Sequence, residues 1–171
     1  TALDAYAPKG YEVKPEMISN AYRKWYAEQG RLGLQDEPLF PGMFKLIHDL
    51  KNNEEFHIGV ATNKSRIALN NGLKKHNLNN IFDVTLTMDE AKAKPDPDMA
   101  IQAMSKLNVK KKSTIIIGDT INDIGLGVNA GIISIGVTWG YNSKELLSSA
   151  GASYLVNDSI ELSKLMKTIC P

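Results

Sequence analysis

The chain has 171 residues, 43% of them hydrophobic, enough to bury a core of one main domain with a small appendage and too apolar for a disordered or fibrous protein. Twenty Lys and Arg residues against nineteen Asp and Glu leave a formal charge of +1 without a basic block, which argues against a nucleic-acid arm or a membrane-surface helix, so any positive charge used in function must be local. The single cysteine, Cys170, has no internal disulfide partner, and no apolar run approaches the ~18–20 residues of a membrane span, so a cytoplasmic protein is expected.

Taken in order, Lys14-Pro15-Glu16 reads as a helix start. Met17, Ala21, Tyr22, Trp25 and Tyr26 then recur at helical spacing until Gly30. Leu34 to Pro41 reads as a linker, and Met43, Phe44, Leu46, Ile47 and Leu50 predict an amphipathic helix. From Phe56 the rhythm becomes strand, helix, strand, helix. Strands are predicted at Ile58–Ala61, Asp83–Thr87, Thr114–Ile117, Ile132–Val137 and Tyr154–Val156. Helices are predicted after Thr62-Asn63-Lys64-Ser65 through about His76, and over 99–107, 121–129, 144–150 and 160–169. Short apolar strands alternating with crossover helices predict an α/β fold, a parallel sheet with helices on both faces.

Ligands of such sheets bind at the carboxyl ends of the strands, and three of those ends carry chemistry. Asp119 and Asp123 follow Ile115-Ile116-Ile117-Gly118. As helix-start residues, Thr120 to Asp123 fit a capping box; as a pair one helical turn apart, the two acids could hold a hard cation, for which Mg²⁺ is the best candidate. Thr62 and Asn63 offer a hydroxyl and an amide beside the free N–H groups of a helix start, a serviceable anion cradle, while Asn63 or Ser65 could equally serve only as a cap. Lys94, kept out of a helix by Pro95, sits on the same sheet edge, where an ammonium could balance phosphate charge; Lys92 has the weaker claim. Gly125, Gly127 and Gly131 fall within or at the end of a helix, so they suit helix–sheet packing better than dinucleotide binding. His48, His57 and His76 lack metal-ligand spacing.

The order Thr62, Lys94, Asp119, Asp123 on successive strand ends resembles the haloacid dehalogenase-like (HAD) hydrolases, in their phosphoglycolate phosphatase-like branch. Val60 to Lys64 is similar to the family's second motif, Lys94-Pro95-Asp96-Pro97 to its third, and Gly118 to Asp123 to its fourth; Gly136 to Tyr141 and Gly151 to Val156 resemble later stretches of that branch. The resemblance implies a Rossmann-like core over 39–171 and part of a small helical cap over 1–38. It also implies a Mg²⁺-dependent phosphatase acting on a small phosphorylated metabolite through an aspartyl-phosphate. Thr62 and Asn63 would then bind substrate, Lys94 would neutralise phosphate charge, and Asp119 and Asp123 would serve the metal.

The family's first motif, Asp-x-Asp-Gly-Thr after a central strand, is absent, and Asp4 lacks its context. In this family that strand lies between those ending here at Thr62 and Ile117, so two inner edges are expected to be unpaired, costly when buried and sticky when exposed. The strand and its nucleophile are therefore expected from outside this chain, from an upstream segment or in trans, as from a second copy in a dimer. Two alternatives remain: a non-catalytic phosphate- and Mg²⁺-binding module, and a phosphomutase sharing the aspartyl-phosphate step.

Overall fold

The computed structural model describes residues 37–169 together with Lys24, Trp25 and Glu28, which are helical. The remainder of the helix predicted from Lys14 to Gly30, and Cys170, lie outside the described residues. The chain divides into two units, Thr1–Pro38 and Leu39–Pro171. The second carries α1 (Met43–Lys51), β1 (Gly59–Thr62), α2 (Arg66–Lys75), β2 (Val84–Thr87), α3 (Asp98–Leu107), β3 (Ile115–Gly118), α4 (Ile121–Ala130), β4 (Ile133–Val137), α5 (Lys144–Ser149), β5 (Tyr154–Val156) and α6 (Ser159–Ile169). A turn of 3₁₀ helix, Lys111–Ser113, precedes β3 and has no periodicity to announce it.

All pairings are parallel, as strands joined through crossover helices require. The strands form two ladders, β1-β2 and β3-β4-β5. Register runs Gly59 to Val84 through Thr62 to Thr87 in the first, and Ile115 to Ile133 through Gly118 to Gly136 in the second. Among the described residues no ladder joins β1 to β3, the place where the family resemblance puts a further strand. Burial reports the same interruption. β2 and β4 are almost wholly buried, whereas all four residues of β3 and the last three of β1 are only partly so. In an uninterrupted parallel sheet the middle strands, covered on both faces, are the ones most withdrawn from water.

Helices hold the two ladders together. On one face Met99, Ala100 and Met104 of α3 and Leu126 and Ala130 of α4 pack with Val84 and Leu86 of β2, and Ala61 of β1 and Ile116 of β3 lie against the same cluster. On the other face Leu46 of α1 and Leu162 and Met166 of α6 cover Ile135, Val137 and Val156, with Ile115 and Ile117 against them. The alternation Ile115, Ile116, Ile117 thus sends side chains to opposite layers, as the two-residue period of a strand dictates. Gly127 permits the close approach of α4: a Cβ there would stand 2.7 Å from Ile116 Cγ2 and 2.8 Å from Ser134 Cβ. Gly131 ends the helix at φ +69°, which favours glycine.

Candidate active site

Thr62 is the last residue of β1, and its Oγ1 accepts a bond from Lys64 N at 3.2 Å, shaping the turn into α2. Of the two candidates for the cap of that helix, Ser65 performs it, with its Oγ accepting from Ala68 N at 3.3 Å. Asn63 is thereby left to a different task. Its Nδ2 donates to Lys94 O at 3.1 Å and its Oδ1 accepts from Lys94 N at 2.8 Å, so one amide side chain grips the main chain of the loop after β2 from both sides.

Lys94 itself turns inward. Its Nζ donates to Asp123 Oδ1 at 2.6 Å and to Ala61 O at 2.8 Å, and the two side chains retain only 12% and 8% of their exposure. An ammonium so withdrawn from water needs compensating partners, and here an anion and a carbonyl provide them. The following segment is fixed on α4: Asn129 Nδ2 donates to Pro95 O at 2.9 Å, and Gly125 leaves room for Pro95, 2.8 Å from where its Cβ would be. Gly125 therefore serves the Lys94 loop, and Gly127 the helix–sheet contact.

Asp123 closes the anticipated capping box. Its Oδ2 accepts from Thr120 N at 3.0 Å and from Thr120 Oγ1 at 2.6 Å, while Thr120 Oγ1 accepts from Asp123 N at 3.3 Å. With Oδ1 on Lys94, both oxygens are engaged. Asp119 stands apart from that pair: its Oδ2 accepts from Tyr141 N at 2.9 Å and its carbonyl from Asn142 N at 3.1 Å, while Asn142 Oδ1 accepts from Ile121 N at 2.8 Å. The loop after β4 therefore clasps the loop after β3, and Gly140 is required there because a Cβ would strike the Asp119 side chain. Gly118 is required likewise against Asp123.

All five predicted residues thus lie at the strand ends, with Asn63, Lys94 and Asp123 in one bonded chain, Thr62 beside it and Asp119 clasped separately. The donor set suits a hard cation: Asp119 offers a carboxylate, and Mg²⁺ takes one or two such ligands, completing its shell with water and phosphate oxygens. Among the described residues no group of three or more His, Cys, Asp or Glu side chains is placed to hold a metal.

Residues 3–137 match the profile of the family described as haloacid dehalogenase-like hydrolases. The chain belongs to that family. It is 29% identical over 157 residues to pyrophosphatase PpaX of Bacillus mycoides, covering 91% of this chain and 71% of that protein. Among solved structures, a predicted phosphatase from Clostridium acetobutylicum superposes with a TM-score of 0.76 at 32% identity, covering 89% of this chain and 69% of that one. A hydrolase from Pseudomonas syringae gives 0.79 at 25% identity, covering 94% and 75%. The chain spans 71% of the length of the Bacillus mycoides protein and 56% of the length of pyrophosphatase PpaX of Bacillus velezensis. As a HAD-like α/β chain, it carries its strand-end polar residues where the fold concentrates ligand chemistry. Among the described residues no helix is long and apolar enough to cross a membrane.

Several residues that shape the site carried little signal in the sequence. Tyr141 acts through its backbone N–H, which leaves no trace in residue identity, and Asn142 looks like any turn asparagine. Arg66 and Glu90 join the loops after β1 and β2 through bonds spanning 24 positions. Glu90 alone could have been flagged, since Thr87-Met88-Asp89-Glu90 spells the Thr-x-x-Glu pattern and Glu90 Oε2 accepts from Thr87 N at 2.9 Å and Oγ1 at 2.7 Å.

Proposed function

We propose that this chain supplies the metal-holding and phosphate-orienting side of a Mg²⁺-dependent phosphomonoesterase acting on a small phosphorylated metabolite of the phosphoglycolate type. The observation that carries the reading is Lys94, whose Nζ lies 2.8 Å from a β1 carbonyl and 2.6 Å from the acid that opens α4, so one buried cation stands at the meeting point of three strand ends. Thr62 and Asn63 orient phosphoryl oxygens, Asn63 also fixing the main chain of Lys94. Lys94 neutralises charge on the phosphoryl group, while Asp123 holds that ammonium in place and supports the metal held by Asp119, directly or through water. When bound, Mg²⁺ supplies charge neutralisation at the phosphate oxygens, with Asp119 as this chain's ligand. Positioning and electrostatics of this kind dominate phosphoryl transfer.

The attacking carboxylate comes from a strand that fits the interruption between β1 and β3. Its oxygen bonds to phosphorus as the ester P–O bond breaks and the alcohol leaves with a proton given by the second acid of the Asp-x-Asp pair; water, losing a proton to that acid, then attacks the aspartyl-phosphate, releasing phosphate and restoring the carboxylate. The second reading is a non-catalytic module that keeps the cation and anion groups, Asp119, Thr62 and Lys94, without a nucleophile. The test joins the chain at Thr1 to a strand ending in Asp-x-Asp-Gly-Thr and measures release from p-nitrophenyl phosphate and a panel of phosphate esters with Mg²⁺. Hydrolysis supports the enzyme, and none across the panel rejects it. A product that keeps its phosphate on another oxygen would indicate a mutase.

A further inference from the structure

Arg66 is the first residue of α2, four positions beyond Thr62. Its Nε donates to Glu90 Oε1 at 2.9 Å and its Nη2 to Glu90 Oε2 at 2.8 Å, a two-pronged pairing with the acid four positions before Lys94. Its Nη1 donates to Thr85 Oγ1 at 2.8 Å and its Nη2 also to Thr85 O at 3.0 Å. Arg66 N donates to Asp89 Oδ2 at 2.7 Å. Glu90 in turn accepts from Thr87 at the very end of β2. The bonds from Arg66 are aimed at β2 and the loop beyond it, the loop that presents Lys94.

The loops after β1 and β2 are therefore pinned to each other twice, once at the site by Asn63 on Lys94 and once further out by Arg66 on Glu90 and Asp89. The ladder between the strands ends at Thr62 and Thr87, so beyond it side-chain bonds must set the separation. The fork geometry suits the purpose: a guanidinium holding both carboxylate oxygens fixes distance and angle together, which a single ammonium contact does not. The same pairing holds the Glu90 carboxyl well below its ordinary range, to about 2, with Thr87 assisting.

We infer that Arg66 and Glu90 are positioning residues that set the separation of the Thr62–Asn63 loop from the Lys94 loop, and through it the placement of the Lys94 ammonium. The inference deepens the phosphatase reading and rests on its assignment of Thr62, Asn63 and Lys94. Neither Arg66 nor Glu90 contacts the phosphoryl group in this scheme. Both act through the loops they join.

The experiment reads the clamp first without catalysis. In the 171-residue chain, amide hydrogen exchange is followed at Lys94, whose N–H donates to Asn63, with Ile135 in β4 as the reference for global opening. R66K keeps the charge and loses the fork; E90Q keeps the shape and loses the charge. Both are expected to speed exchange at Lys94 about tenfold more than at Ile135, whose own change reads any loss of global stability. Unchanged exchange at Lys94 overturns the inference, and so does equal acceleration at both amides, which marks general destabilisation. The second arm uses the strand-joined form: R66K should lower kcat for p-nitrophenyl phosphate about tenfold or more with KM within about twofold, the pattern of a misplaced charge. Unaltered kcat in an active parent overturns the inference. A parent inactive on every ester rejects the phosphatase reading instead, and the exchange arm then decides the clamp alone.

Discussion

Replacing Lys94 with methionine keeps most of the aliphatic volume and removes the ammonium, so it isolates what the buried cation contributes. Asp123, with 8% of its side chain exposed, would keep Thr120 N and Oγ1 on Oδ2 and lose the one donor to Oδ1 among the described residues; Ala61 O would lose the ammonium as well. Stranding one member of a buried pair costs about 3–5 kcal/mol in general; the surviving Thr120 bonds bring the expected loss here to about 3 kcal/mol. In urea, with a slope of about 2 kcal/mol per molar, the unfolding midpoint should fall by about 1.5 M, followed by tryptophan fluorescence. Adding D123N removes the stranded charge and should recover more than about half of that loss, because a neutral pair carries a smaller desolvation cost. A K94M midpoint within about 0.3 M of the parent, or a double variant less stable than K94M, would refute the account of this pair.

The remaining predictions probe the supports of the site. G140A drives a Cβ onto Asp119; the strand-joined form should lose phosphatase activity about tenfold or more while keeping its unfolding free energy within about 1 kcal/mol, and unchanged activity would show that the clasp on Asp119 is unimportant. N63A frees the Lys94 main chain from both bonds and should lower kcat with a stability loss of about 1–2 kcal/mol, read by ester hydrolysis and urea unfolding together. Glu90, held at about 2 against an ordinary 4.5, stabilises the fold above pH 4.5 and loses that contribution as pH falls toward 2. With 37% of its side chain exposed, the effect is about 1 kcal/mol; E90Q should cost that at pH 7 and nothing at pH 2, measured by denaturation at each pH.

The elements were legible because their signals are local. Ile115-Ile116-Ile117 before Gly118 reads as a strand handing over to a helix, and the structure places β3 at Ile115–Gly118 and α4 from Ile121. Thr120 to Asp123 is both the anticipated capping box and part of the candidate site, since the oxygen that caps is Oδ2 and the one facing Lys94 is Oδ1. The assignment of the cap on α2 was open between Asn63 and Ser65 because either side chain can accept from a helix N–H; only the loop after β2, brought alongside by parallel pairing, decides that Asn63 goes to Lys94. Arg66 and Tyr141 were illegible for related reasons: one acts across 24 positions and the other through a main-chain amide. The interruption between β1 and β3 followed from the family resemblance and not from hydrophobic pattern, since Gly59 to Thr62 reads as an ordinary buried strand by itself.

For the cation proposed on Asp119 at the end of β3, the Tyr141 amide is a built-in reporter because it donates to Asp119 Oδ2 at 2.9 Å. A Mg²⁺ titration followed by ¹⁵N–¹H spectra should shift the Tyr141 and Asn142 amides saturably in the parent chain and leave them unmoved in D119N. Identical shifts in D119N, or saturable shifts confined to other acids, would contradict the assignment.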